Sequence, residues 1–132
     1  MKRTVEFYDS TVGAINPVGE SMEIDLAPAY VHQIEGEPGN ERVTGWNLAV
    51  RLVLENASCT GKYPEMPCKL TDGTLKLGDS QINYLIPLPY SETGDVEIWL
   101  QFCGGDEVTI TATKVELQVS GEAVFIEEFP AE

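Results

Sequence analysis

His32, Cys59, Cys68 and Cys103 are the side chains of this 132-residue chain best suited to hold a metal or act as a nucleophile. Together they complete a Cys₃His set, enough ligands for four-coordinate zinc. The spacing argues otherwise. Zinc knuckles place paired ligands about two to four positions apart, whereas the nearest pair here, Cys59 and Cys68 in "ENASCTGKYPEMPCKL", is nine positions apart. A Cys59–Cys68 disulfide would close the loop between them, but a reducing compartment disfavours it and three cysteines leave Cys103 over. The expectation is three free thiols acting as small apolar side chains, with no metal and no cofactor. A leader removed upstream would tip the balance towards the disulfide.

His32 is the only histidine. A catalytic triad would need it beside a nucleophile and an orienting carboxylate, and no G-x-S-x-G marks the nucleophile. A hydrolase or metal-dependent enzyme using His32 with carboxylates stands as the alternative to a binding role. The 22 acidic residues offer many carboxylate pairs, which makes any one pair uninformative. Glu127 and Glu128 in "FIEEFP" fall on opposite faces of a strand and are expected to be solvated at its end. Acid-bearing loops such as "TGDVE" and "GGDE" have the composition of calcium loops without the spacing of one.

Trp99 gives the lead towards binding. In "GDVEIWLQFC", Val96, Ile98, Leu100 and Phe102 share one parity; Glu97, Trp99, Gln101 and Cys103 share the other. A tryptophan between Glu and Gln on the polar side of a strand is a surface for a sugar or a peptide. The candidate ligand-binding set is Trp99, Gln101, Glu97, Tyr84 and Tyr90, with Tyr63 in a neighbouring loop. The competing expectation is that the N-terminal segment or a subunit partner covers this face. Trp46 shares parity with Leu48, Val50, Leu52 and Leu54 and is expected in the core.

Charge narrows the partners. The net charge is −14, and residues 77–132 carry eleven acids against Lys114 alone. Direct nucleic-acid binding is excluded in practice, because phosphate neutralisation needs Lys and Arg. A basic protein surface would be attracted, so an acidic decoy of a basic nucleic-acid-binding protein is a further alternative. No stretch reaches the roughly 18 apolar residues of a membrane helix, and the N-terminus lacks the apolar run of a signal peptide. A cytoplasmic chain is the expectation.

The elements that must position these residues are strands. "GWNLAVRLVLEN", "GDVEIWLQFC" and "DEVTITAT" all alternate with period two. The apolar parity then switches from Val108, Ile110 and Ala112 to Val115, Leu117 and Val119, which predicts a one-residue bulge near Thr113 and Lys114. "CGGDE" and Ser120–Gly121 read as hairpin turns, and so does Asp72–Gly73. "TVEFY", "MEIDL" and "AYVHQI" read as three short strands, and "LIPLPY", with Pro87 and Pro89, belongs at an edge. No helical stripe exceeds two turns. Residues 1–132 therefore form one all-β domain. The expected form is an antiparallel β-sandwich, jelly-roll-like, of eight or nine short strands, with a small closed β-barrel as the alternative. The functional expectation is a non-enzymatic binding or assembly module recognising a protein partner or glycan through one sheet face or loop rim, with a homo-oligomer as one form it could take.

Overall fold

Period-two alternation governs the folded chain. A computed structural model describes residues 2–37, 39–83 and 86–129; it is three-quarters strand and has no helix. Eleven strands occur among the described residues: β1 (Lys2–Glu6), β2 (Thr11–Val18), β3 (Ser21–Glu35), β4 (Arg42–Glu55), β5 (Ser58–Gly61), β6 (Cys68–Leu77), β7 (Ser80–Ile82), β8 (Ile86–Leu88), β9 (Tyr90–Phe102), β10 (Glu107–Val119) and β11 (Val124–Phe129).

The frame is one long hairpin. β3 and β4 pair from Met22–Leu54 to Glu35–Arg42. Along the free edge of β3, β2 follows its first half and β1 its second. Along the free edge of β4, β10 follows its second half and β11 its first. The hairpin therefore serves two sheet regions. In one, β4-β10-β9-β6-β2-β3 closes into a six-stranded barrel, sealed where Thr11 and Val12 meet Lys69 and Cys68. In the other, β8-β1-β3-β4-β11 stays open. β5 adds to β10 and β7 to β6. Of the two architectures expected, the closed barrel is the one formed. The strands make one continuous sheet, and β3 and β4 are longer than any anticipated.

Inward parity fills the barrel. Val96, Ile98, Leu100 and Phe102 are at most 2 % exposed and belong to one core cluster with Leu52, Leu54, Ile24, Leu26, Leu70, Leu75 and Ile110. Each such side chain contributes about 1.5–3 kcal/mol by leaving water. The parity switch in β10 is a register shift between Ala112 and Lys114, so Val115 and Leu117 remain buried. A second bulge, at Ala27–Pro28 opposite Ala49, bends the long hairpin where barrel gives way to open sheet.

Three local expectations are corrected. Asp72–Gly73 is no turn: β6 runs through it, and Gly73 lies beneath the Phe7 ring, where a Cβ would come within 2.7 Å. The turn falls instead between β6 and β7. "MEIDL" and "AYVHQI" are the two halves of β3, joined through the bulge. Ser120–Gly121 makes no hairpin, because β10 and β11 lie in succession along the same edge of β4. There Ser120 N–H donates to the Ala49 carbonyl, and Gly121 passes close over the Ala49 Cβ. β8, from "LIPLPY", is an edge strand as its prolines require.

Candidate functional site

The open sheet gathers the polar and aromatic residues that the barrel excludes. On one face, Tyr30 and His32 stand on β3 beside Glu6 of β1, with Glu127 and Phe129 of β11 across Gly45 of β4. His32 Nε2 lies 3.0 Å from Glu6 Oε2. The His32 ring stacks on Phe129 with centroids 5.4 Å apart and meets Tyr30 edge-on at 5.0 Å. Tyr30 donates its hydroxyl to Glu127 Oε1 at 2.6 Å. Gly45 makes room for this bond, since a Cβ there would lie 2.5 Å from the Tyr30 hydroxyl. Burial raises the Tyr30 pKa above the ordinary tyrosine value; the Glu127 hydrogen bond and the nearby carboxylates of Glu127, Glu6 and Asp9 raise it further.

The other face carries a shallow groove of about 450 Å³ lined by Gln33, Glu35, Arg42, Thr44, Trp46 and Phe125. Its floor is a fixed polar chain. Trp46 Nε1 donates to Thr44 Oγ1 at 2.7 Å, Thr44 Oγ1 donates to the Gln33 carbonyl, and Gln33 Nε2 donates to Glu35 Oε1 at 2.7 Å. Phe125 meets Trp46 edge-to-face at 5.4 Å. Trp46 is therefore half-buried against the edge of the core, with its N–H satisfied locally, and not the central core residue its parity suggested.

β11 forms one wall of both faces and the margin of the sheet. Among the described residues no strand pairs with its outer edge. Val124, Phe125 and Ile126 are 60 %, 50 % and 44 % exposed, three consecutive apolar residues on an edge strand. A bulge between Phe125 and Glu127 breaks the alternation and turns Ile126 outward. Glu128 is held by Arg42, whose Nε donates to Oε1 at 2.8 Å and Nη2 to Oε2 at 3.4 Å. Glu127 and Glu128 are thus engaged on opposite faces, by Tyr30 and Arg42, rather than merely solvated.

The sequence-derived ligand set is only partly brought together. Trp99 lies on the outer face of the barrel, half-buried between Thr109 of β10 and Thr74 of β6. Its Nε1 donates to Glu107 Oε1 at 2.8 Å. Glu97 and Gln101 flank it on the same face of β9, and Gln101 accepts from the Thr71 hydroxyl. The N-terminal strand does not cover this face, because β1 is spent on β3 and β8. Tyr90 stands apart: it opens β9 opposite Leu117, packs against the core, and has its pKa raised by burial and then by Glu92. Tyr63 is exposed, and Tyr84 lies outside the described residues.

The Cys₃His set is dispersed. His32 is in the open sheet, while Cys59 on β5 and Cys68 on β6 belong to the barrel. All three cysteines are free thiols: Cys59 and Cys68 are half-buried against the core, and Cys103 is exposed. Burial raises the Cys59 thiol pKa. Cys68 approaches Cys103, not Cys59, with Sγ 3.7 Å from the Cys103 carbonyl oxygen. Among the described residues no three His, Cys, Asp or Glu side chains are grouped to hold a metal ion, and no helix is long and apolar enough to cross a membrane. Comparison of the chain with protein-family models, curated proteins and solved structures yields no match.

Sequence reasoning places a strand at "EAVFIEEF" but pairs it with β10 through a hairpin, and so misses its position at the margin beside β4. The signal is in "AVFIEE", where four apolar residues in a row break the alternation just before paired acids. What parity could not reveal is that β4 already has β3 on its other side, leaving β11 at the margin.

Proposed function

We propose that this chain is a non-enzymatic binding and assembly module that takes an extended segment of a partner protein along the free edge of β11. The observation that carries the reading is the exposure of Val124, Phe125 and Ile126 on an edge strand. Unpaired backbone groups along such an edge accept a further strand, and exposed apolar side chains reward it by burial. The groove beside Phe125 and Trp46 offers a pocket for a side chain of the added strand. The test is hydrogen exchange of residues 124–129 in the full chain, with and without a panel of alternating apolar–polar octapeptides of differing charge. Slowed exchange at β11 with at least one peptide is expected; unchanged exchange with all of them would end the reading.

A second reading, glycan binding at the outer barrel face, rests on the anchored Trp99 indole with Glu97 and Gln101 beside it. A fixed ring stacks on a sugar at little entropic cost. Quenching of Trp99 fluorescence by an oligosaccharide, lost in Trp99→Ala, supports it. The enzymatic alternative draws on the His32–Glu6 pair, but among the described residues His32 has no hydroxyl or thiol hydrogen-bond partner to activate.

A further inference from the structure

We infer that the strand accepted by β11 is a basic one, an extended segment of another protein with alternating apolar and Lys or Arg residues, and not a second copy of this chain. The inference rests on the proposed use of the β11 edge and names its partner.

Charge around the edge is one-sided. β11 carries Glu127 and Glu128, Glu122 lies just before it and Glu41 just before β4, while Glu35 is on β3, on the far side of β4. The neighbouring cations are both engaged: Arg42 is chelated by Glu128, and Arg3 Nε donates to Gln33 Oε1 at the groove floor. Glu127 uses Oε1 to accept from Tyr30, and its Oε2 has no hydrogen-bond partner among the described residues. Basic side chains at alternate positions of an added strand would lie beside these carboxylates, and opposite charges across a ladder stabilise it.

The same charges disfavour self-pairing. The antiparallel register that matches the strand with itself, Val124 opposite Phe129, sets Glu127 against Ile126 and Glu128 against Phe125, so each acid opposes an apolar side chain, and the register with Ile126 opposite Phe129 sets Glu127 of each copy opposite Glu128 of the other. The register that stacks Phe125 on Phe125 sets Glu122 opposite Glu128. Like charges across a ladder destabilise it, and each copy carries a net charge of −14. Acidic residues on an exposed apolar edge thus block association of identical chains while leaving the edge open to a basic strand.

The apolar component sets which face of the added strand is apolar. Phe125 and Trp46 form the aromatic wall of the groove, with Gln33 and Thr44 buried at its floor. An apolar side chain of the incoming strand fits against the two rings, while its basic neighbours face Glu127 on the opposite side of the sheet.

Three synthetic octapeptides test this: alternating Lys–Val, alternating Glu–Val, and Lys–Val interrupted by a central proline. Binding to the full chain is followed by fluorescence anisotropy and by hydrogen exchange at residues 124–129, and oligomeric state by sedimentation. The Lys–Val peptide is expected to slow exchange at β11, and raising salt from about 0.05 M to about 0.5 M to weaken it about tenfold. The double variant Glu122→Lys/Glu127→Gln, which keeps an acceptor for Tyr30, should bind it about fivefold more weakly with an unchanged melting temperature. Equal protection by Lys–Val and Glu–Val would overturn the charge inference and leave the edge reading standing. Protection by none would remove the edge reading itself. Equal binding of the proline-interrupted peptide would replace strand addition with simple ionic adsorption. A dimer with protected β11 and no peptide present would make the occupant a second copy.

Discussion

Tyr30 is held in its neutral form by desolvation first and by Glu127 second, so its ionisation reports on whether β11 is docked. The sign follows from linkage. A folded-state pKa above the unfolded value of about 10 contributes stability that is whole below pH ~10 and is lost as pH rises further. Spectrophotometric titration should find this tyrosine among the last to ionise, and Tyr30→Phe should remove part of the alkaline loss of stability above pH ~10. A variant whose unfolding midpoint falls with pH as steeply as the parent's would contradict the assignment. His32 shows how far residue type goes. As the only histidine it invites a catalytic reading, but the fold gives it Glu6 for a hydrogen-bond partner and Phe129 for a stacking partner. Neither contact is written in the sequence around it, because Glu6 and Phe129 arrive from β1 and β11.

At the scale of elements, Gly45 decides how β11 sits. It lies between His32 and Glu127 in register, and the Tyr30 ring crosses above it. Gly45→Ala should push the Tyr30 hydroxyl away from Glu127, cost about 1–3 kcal/mol, and speed exchange at residues 124–129 before the barrel is affected. Uniform loss of protection through β9 and β10 would show instead that β11 and the barrel open together. The parity switch in β10 is readable because a clear alternation runs on both sides of it, Val108, Ile110 and Ala112 before and Val115, Leu117 and Val119 after, and the bulge falls where the phase changes. Ser120–Gly121 was misread as a hairpin for a physical reason: a small flexible pair suits a reversal and a close passage equally well. Only the Ala49 side chain beneath Gly121 distinguishes them. Asp72–Gly73 fails likewise, since its glycine answers to Phe7 from a distant strand.

For the whole molecule, the β3–β4 hairpin is shared by the barrel and the open sheet, so the two are expected to unfold as one cooperative unit. Phe102→Ala should cost about 3–5 kcal/mol and lower the urea midpoints of both regions together. Phe125→Ala, on the exposed edge, should change stability by about 0.5 kcal/mol or less while weakening any strand added there. Separate transitions for Trp46 and Trp99 fluorescence in Phe102→Ala would mean that the hairpin does not couple them. Trp46 reports on the open sheet and Trp99 on the barrel, so the two signals divide the molecule cleanly.

Alternation of apolar and polar residues determined by itself that the chain is all-β, where most strands lie, which side of β9 and β10 faces inward, and that Trp99 faces out. These properties depend on neighbours two positions apart, so a local pattern carries them. Tertiary structure decided closure into a barrel, the union of two short segments into β3, the dispersal of His32 and the cysteines, and the position of β11 at a margin. Each of those depends on which strand lies beside which, and hydrogen bonds between distant backbones leave no periodic trace in either sequence.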